Sequence, residues 1–159
     1  MRVYGYCRIS TAKQSIDRQV RNIRAEYPTV HIVQEAYTGT SILRPEWSKL
    51  YWILKEGDTV VFDSVSRMSR NAEEGFSLYE DLYHKGIRLV FLKEHHIDTE
   101  TYKKALSGSI AMTGTNVDFI LKGINEYLMA LAKEQIKLAF EQSEKEVADL
   151  HQRTREGLV

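Results

Sequence analysis

The chain has 159 residues, 43% of them hydrophobic, with two prolines and one cysteine; this suits one globular domain with a full core, and a lone Cys7 excludes an internal disulfide framework. Lysine plus arginine and aspartate plus glutamate number 22 each, a formal net charge of zero, so bulk charge makes no case for a nucleic-acid partner and any such case is local. No run approaches the ~18 apolar residues of a membrane span and no charged-then-apolar leader opens the sequence, which leads us to expect a cytoplasmic protein with no membrane partner.

Residues 2 to 7 read as a strand, and Ser15 as the cap of a helix whose apolar stripe is Ile16, Val20, Ile23 and Tyr27, ended by Pro28. Residues 30 to 37 read as a second strand and 38 to 44 as a loop. Pro45 then opens a helix with Trp47, Leu50, Tyr51 and Leu54 on one face, closed by Gly57. Residues 59 to 63 form a short buried strand. Asn71 with Glu74 three residues later is a capping-box pattern before a helix over 72–85, stopped by Gly86, and residues 87 to 92 supply a fourth strand. Strands alternating with helices at this spacing predict an α/β fold with a mostly parallel central sheet covered by helices. Residues 93 to 114 read as loop plus one short helix.

From Asn116 to about Arg155 there is no proline, and Val117, Ile120, Ile124, Leu128, Leu131 and Leu138 recur at helical spacing. One helix of about 40 residues reaches ~60 Å, whereas a domain of this size has a radius of gyration of roughly 15 Å, so part of it must leave the domain. The apolar content is dense to Phe140 and sparse beyond. The first half is therefore expected to be buried, by its own domain or a partner subunit, and the second half solvated. Residues 1–115 and this helix, 116–159, are read as one domain.

In a parallel sheet, ligands gather at the carboxyl ends of the strands. The first strand leads to Arg8 and Ser10, with Gln19 in the following helix. The second leads to Arg44, and the third to Arg67 and Arg70. Guanidinium forks fit phosphate oxygens and keep their charge, so four arginines on one edge read as a phosphodiester site. Taken singly, each arginine also fits a solvated surface residue, and Ser10 a turn serine. None of the five histidines falls at a triad-like position, which leaves a cationic cluster, rather than a base, to stabilise a Ser10 alkoxide. Cys7 reads as a small buried residue and Tyr127 as core or interface. The His95–His96 pair is set aside as a metal site, because neighbours on a strand point to opposite faces. No metal and no cofactor is expected.

The stretch "YCRISTAKQ" (6 to 14) resembles the active-site signature of the serine site-specific recombinases, the resolvase and invertase family. Gln19 in "IDRQ", the loop "TGTSILR" ending at Arg44, the Arg-x-x-Arg element in "VSRMSRN" and "RTREGL" near the end extend the resemblance along the whole chain. It implies a catalytic set of Ser10 (nucleophile), Arg8, Gln19, Arg44, Arg67 and Arg70. It also implies cleavage of double-stranded DNA through a 5′-phosphoserine bond, without a metal, by homodimers that pair into a tetramer, in a protein encoded by a bacterium, phage or mobile element. Two departures stand out. Many members carry an aspartate where this chain has Ser66, which leaves Asp63 or Glu94, or water, to take the serine proton. Members also carry a DNA-binding domain after the long helix, absent from the sequence to Val159. Two other readings of the arginine edge stay open at this point: a non-catalytic doubly wound domain that binds an anion and signals through the helix, and a metal-free phosphodiesterase that uses Ser10 for hydrolysis.

Overall fold

The computed structural model describes residues 1–9, 13–36, 44–69, 71–107 and 113–155. Strands β1 (Val3–Ile9), β2 (His31–Ala36), β3 (Thr59–Phe62) and β4 (Arg88–Phe91) pair entirely in parallel in the order β2-β1-β3-β4. Parallel neighbours need crossovers, and helices supply them. Helix α1 (Lys13–Glu26) joins β1 to β2 and α2 (Pro45–Ile53) joins β2 to β3. The single turn α3 (Val65–Met68) and α4 (Ala72–His84) join β3 to β4. A 3₁₀ turn at His95–Ile97, α5 (Thr99–Ser107) and α6 (Asp118–Arg155) complete the chain.

Strand alternation sorts the core into two layers. Tyr4, Tyr6, Val60, Phe62, Leu89 and Phe91 face Trp47 and Leu50 of α2, Tyr79 and Leu82 of α4, and Ile136, Ala139 and Phe140 of α6. The opposite face, with Cys7, Val61 and Val90, packs on Ile16 and Ile23 of α1. A ladder of rings crosses the sheet, Tyr6 to Phe62 at 5.9 Å and Phe62 to Phe91 at 5.3 Å between centroids. Such contacts add roughly 0.5–1.5 kcal/mol each beyond burial.

Several local expectations change. Helix α1 begins at Lys13, two residues before Ser15, so the serine lies inside the helix. Helix α2 ends at Ile53, with Leu54 extended at its C-cap, and Gly57 serves the next turn at φ 92°. The capping box is half made. Asn71 Oδ1 accepts from Glu74 N, but Asn71 N donates to Ser69 Oγ rather than to Glu74. His95 and His96 lie on the 3₁₀ turn, not a strand, and His95 Nδ1 is 2.7 Å from Asp98 Oδ2. Among the described residues, no group of three or more His, Cys, Asp or Glu is placed to hold a metal ion.

The long helix forms, and this chain covers part of its first half, at Ile136, Ala139 and Phe140. Phe119 is 74% and Tyr127 65% exposed, and Ile120, Ile124 and Leu131 are exposed with them. The helix is anchored further along, at Ile136, Ala139 and Phe140, and the described residues leave the apolar side chains of its first turns exposed. No helix among the described residues is long and apolar enough to cross a membrane.

Candidate active site

In the strand order, β1 lies between β2 and β3, so the chain leaves β1 toward one edge and returns on its other side. The carboxyl ends of β1 and β3 therefore flank the crevice in which open α/β sheets hold ligands. Arg8 occupies that end of β1, and α3 begins three residues after β3.

Gln19 is 1% exposed and clamps the main chain of Arg8 from α1. Arg8 N donates to Gln19 Oε1 at 3.1 Å, and Gln19 Nε2 donates to Arg8 O at 3.1 Å. A carboxamide is one of the few side chains able to satisfy both main-chain groups of one residue at once. The same carbonyl accepts from Arg67 Nη1 at 3.2 Å, while Arg8 Nη2 donates to Ser66 O at 2.6 Å. Arg44 donates from Nη1 to Met68 O at 2.7 Å. Three guanidinium groups from three parts of the chain thus meet around the four residues of α3. These contacts run to main-chain carbonyls, which orient a guanidinium without cancelling its charge.

Two residues that the sequence reading passed over complete the arrangement. Glu35, near the end of β2, is 2% exposed. Its carboxylate accepts from Glu46 N at 3.2 Å and Trp47 N at 3.0 Å, in the first turn of α2, and from Tyr6 Oη at 3.2 Å. Arg44, the N-cap residue, makes no side-chain cap, so Glu35 caps α2 from the neighbouring strand and meets the positive end of the helix. The Tyr6 hydroxyl in turn accepts from Arg44 Nε at 3.2 Å. The Arg44 guanidinium carbon lies 5.3 Å from the Tyr6 ring centroid and 5.2 Å from that of Trp47. Burial pushes the Tyr6 phenol up to about 12, against the opposing pull of Arg44. It is therefore a neutral donor and acceptor at working pH. The signal for Glu35 in the sequence is an acid inside a strand, a residue type that is rarely buried without a partner.

The carboxylates considered as substitutes for an acid at Ser66 both have structural partners. Asp63, 2% exposed, accepts from Asn22 Nδ2 at 2.9 Å and pairs with Lys93 Nζ at 3.3 Å. Glu94 Oε2 accepts from Val65 N at 3.1 Å, at the start of α3. The Ser66 hydroxyl lies 2.7 Å from that of Ser64. Of the expected set, the fold brings together Arg8, Gln19, Arg44 and Arg67; Ser10, Arg70 and residues 37–43 lie outside the described residues.

Against this geometry stand the comparisons with known proteins. A family model described as the resolvase N-terminal domain matches residues 3–148. A resolvase from Clostridium perfringens (strain 13 / Type A) is 33% identical over 97 residues, covering 60% of this chain and 51% of that protein. The transposon Tn21 resolvase of Escherichia coli is 26% identical over 159 residues, covering 96% of this chain and 83% of that one. The chain thus spans about half the length of the first relative and most of the second. Among solved structures, a resolvase family site-specific recombinase from Streptococcus pneumoniae is similar at 20% identity, covering 98% of this chain and 99% of that one, with a TM-score of 0.49.

Proposed function

The chain belongs to the resolvase family, and from that premise we propose that it serves site-specific DNA recombination, by cutting and rejoining double-stranded DNA with Ser10 as the nucleophile. The observation that carries the reading is the gathering of Arg8, Arg44 and Arg67 around α3 at the carboxyl edge of the sheet, with Arg8 two residues before Ser10 in the chain. In this reading Ser10 Oγ attacks the scissile phosphorus and loses its proton. A 5′-phosphoserine bond forms, the bond from phosphorus to the 3′ oxygen breaks, and the departing oxygen takes up a proton as a free 3′-hydroxyl. Attack of a 3′-hydroxyl on the phosphoserine reverses each change, so the bond energy is conserved for re-ligation and no nucleotide is consumed.

The arginines have two roles in that sequence. They neutralise the diester so that an oxygen nucleophile can approach, and they stabilise the charge that spreads over the non-bridging oxygens in the transition state, the term that preorganised donors serve best. Gln19 has no direct part; it fixes the peptide of Arg8 two residues before the nucleophile. The exposed apolar turns of α6 supply the surface through which two copies would pair, and pairs of dimers would hold the two sites together.

The reading is tested by mixing the intact protein with DNA that carries its recombination site and looking for a protein–DNA adduct that survives SDS. The adduct is expected with the parent protein and in EDTA, and is expected to vanish in Ser10→Ala. An adduct retained in Ser10→Ala, or one lost in EDTA, would overturn the serine or the metal-free part respectively. Hydrolysed ends without rejoining would favour a phosphodiesterase.

A further inference from the structure

We propose that Glu94 is a positioning residue that tethers the single turn α3 and, through the carbonyls of that turn, sets Arg8 and Arg44 for the scissile phosphate, an inference that rests on the strand-cleavage reading above. A helix of four residues does not stand alone, because one or two bonds do not repay the cost of its nucleation. Arg67 N donates to Ser64 O at 3.1 Å and Ser69 N to Val65 O at 3.4 Å. Val65 and Met68, 1% and 0% exposed, seat the turn in the core. Apolar burial has no direction, however, and does not decide where the carbonyls point. The N-cap residue gives no help: Ser64 makes no side-chain cap, and its hydroxyl lies 2.7 Å from that of Ser66.

Glu94 supplies the directional contact from outside the turn. Its Oε2 accepts from Val65 N, the first amide of α3, at 3.1 Å, and bonds to an ionised acceptor are the stronger kind. The main chain beneath that carboxylate is fixed. Lys93 N donates to Asp63 O at 3.1 Å and continues the pairing of β4 with β3, Glu94 N donates to Phe91 O at 3.1 Å, and Ile97 N donates to Glu94 O at 3.0 Å. Glu94 is the N-cap residue of the 3₁₀ turn that follows, yet it makes no side-chain cap there; the side chain reaches across to α3 instead. From the tethered turn, Ser66 O holds Arg8 Nη2 at 2.6 Å and Met68 O holds Arg44 Nη1 at 2.7 Å, while Arg67 of the same turn donates to Arg8 O at 3.2 Å. One tilt of α3 therefore moves three guanidinium groups together, and misplacement of such groups by about 1 Å is enough to cost up to roughly 100-fold in rate.

Three variants separate the tether from a role in proton transfer. Glu94→Ala removes the acceptor, Glu94→Gln keeps an oxygen at the same reach but gives up the charge, and Glu94→Asp keeps the charge but falls one methylene short. In the intact protein on DNA carrying its site, at saturating protein, the first-order rate of adduct formation is expected to fall about 10-fold or more in Glu94→Ala. Glu94→Gln is expected to stay within about 3-fold of the parent and to react faster than Glu94→Asp. DNA affinity by gel shift and the shape of the pH–rate profile are expected to change little in all three. Hydrogen exchange is expected to quicken at Val65 N in Glu94→Ala and Glu94→Asp, while the amides of β3 stay protected and show that the chain is folded. A Glu94→Ala rate equal to the parent's, or unchanged exchange at Val65 N, would overturn the tether. Glu94→Asp faster than Glu94→Gln would overturn it too, and loss of the acidic limb of the pH profile in Glu94→Gln would make the carboxylate a proton acceptor instead. A parent protein that forms no adduct would overturn the cleavage reading on which the role rests, whatever the exchange at Val65 shows.

Discussion

Gly75 and Phe140 form a contact whose mutational response changes sign with the partner. Gly75 lies in the interior of α4, and a methyl group built on it would stand 2.5 Å from both Cδ1 and Cε1 of Phe140, which is 1% exposed. Carbon atoms prefer separations of about 3.5–4.0 Å, so Gly75→Ala forces the ring or the helix to move by roughly 1 Å. Overpacking of that kind costs about 1–3 kcal/mol, more than the roughly 0.5–1 kcal/mol by which alanine improves on glycine within a helix. Phe140→Ala leaves a cavity and costs about 3–5 kcal/mol. In that background the new methyl group enters empty space and the helix preference remains, so Gly75→Ala is expected to stabilise by up to about 1 kcal/mol. Urea unfolding of the four proteins, followed by circular dichroism, measures each value. Additive effects, with Gly75→Ala destabilising in both backgrounds, would refute the claim that this contact sets the approach of α6 to α4.

Three further outcomes follow from named groups. Burial, reinforced by Asp63, pushes the Cys7 thiol up to about 12, so the native protein should resist thiol reagents at pH 8 and react once unfolded; rapid stoichiometric labelling of the native state would contradict this. The hydrogen bond to Asp98 raises His95 above its ordinary ~6.5, so its imidazole should titrate above that value by NMR and return toward it in Asp98→Asn. As a raised group, its share of stability is full below ~6.5 and fades as pH rises through the raised midpoint; a midpoint at or below 6.5 would contradict the pairing. The exposed Phe119, Ile120, Ile124, Tyr127 and Leu131 predict concentration-dependent self-association in sedimentation, reduced by Ile124→Glu, and an unaltered monomer at high concentration would count against an interface there.

The strands and long helices were legible because periodicity is a property of runs. The alternation of Tyr4, Tyr6 and Cys7, the stripe of Ile16, Val20 and Ile23, and Pro45 at the first turn of α2 all carry their structure locally. Helix α3 is four residues long, too short to show a period, yet it organises the site through its carbonyls, which no side-chain pattern encodes. In the first half of α6, apolar spacing says which face seeks cover, not whether the same chain or a partner subunit provides it; this chain covers Ile136, Ala139 and Phe140 and leaves Phe119, Ile120 and Ile124 exposed. Tyr6 and Glu35 escaped notice for a related reason. Each is an ordinary strand residue in sequence, and only the register of β1 against β2 and the approach of α2 bring them together at the start of that helix. Arg8, Gln19, Arg44 and Arg67 were found by following strand ends, a rule of topology that needed only the parallel sense of the strands.

The most direct measurement on the central claim is to trap the protein–DNA adduct on a site labelled separately at each end of the break, digest the protein, and identify by mass the peptide and the DNA end that remain joined. The account predicts phosphoserine at Ser10 carrying the 5′ end, with a free 3′-hydroxyl on the other strand fragment. A link at another residue, or one that holds the 3′ end, would contradict it.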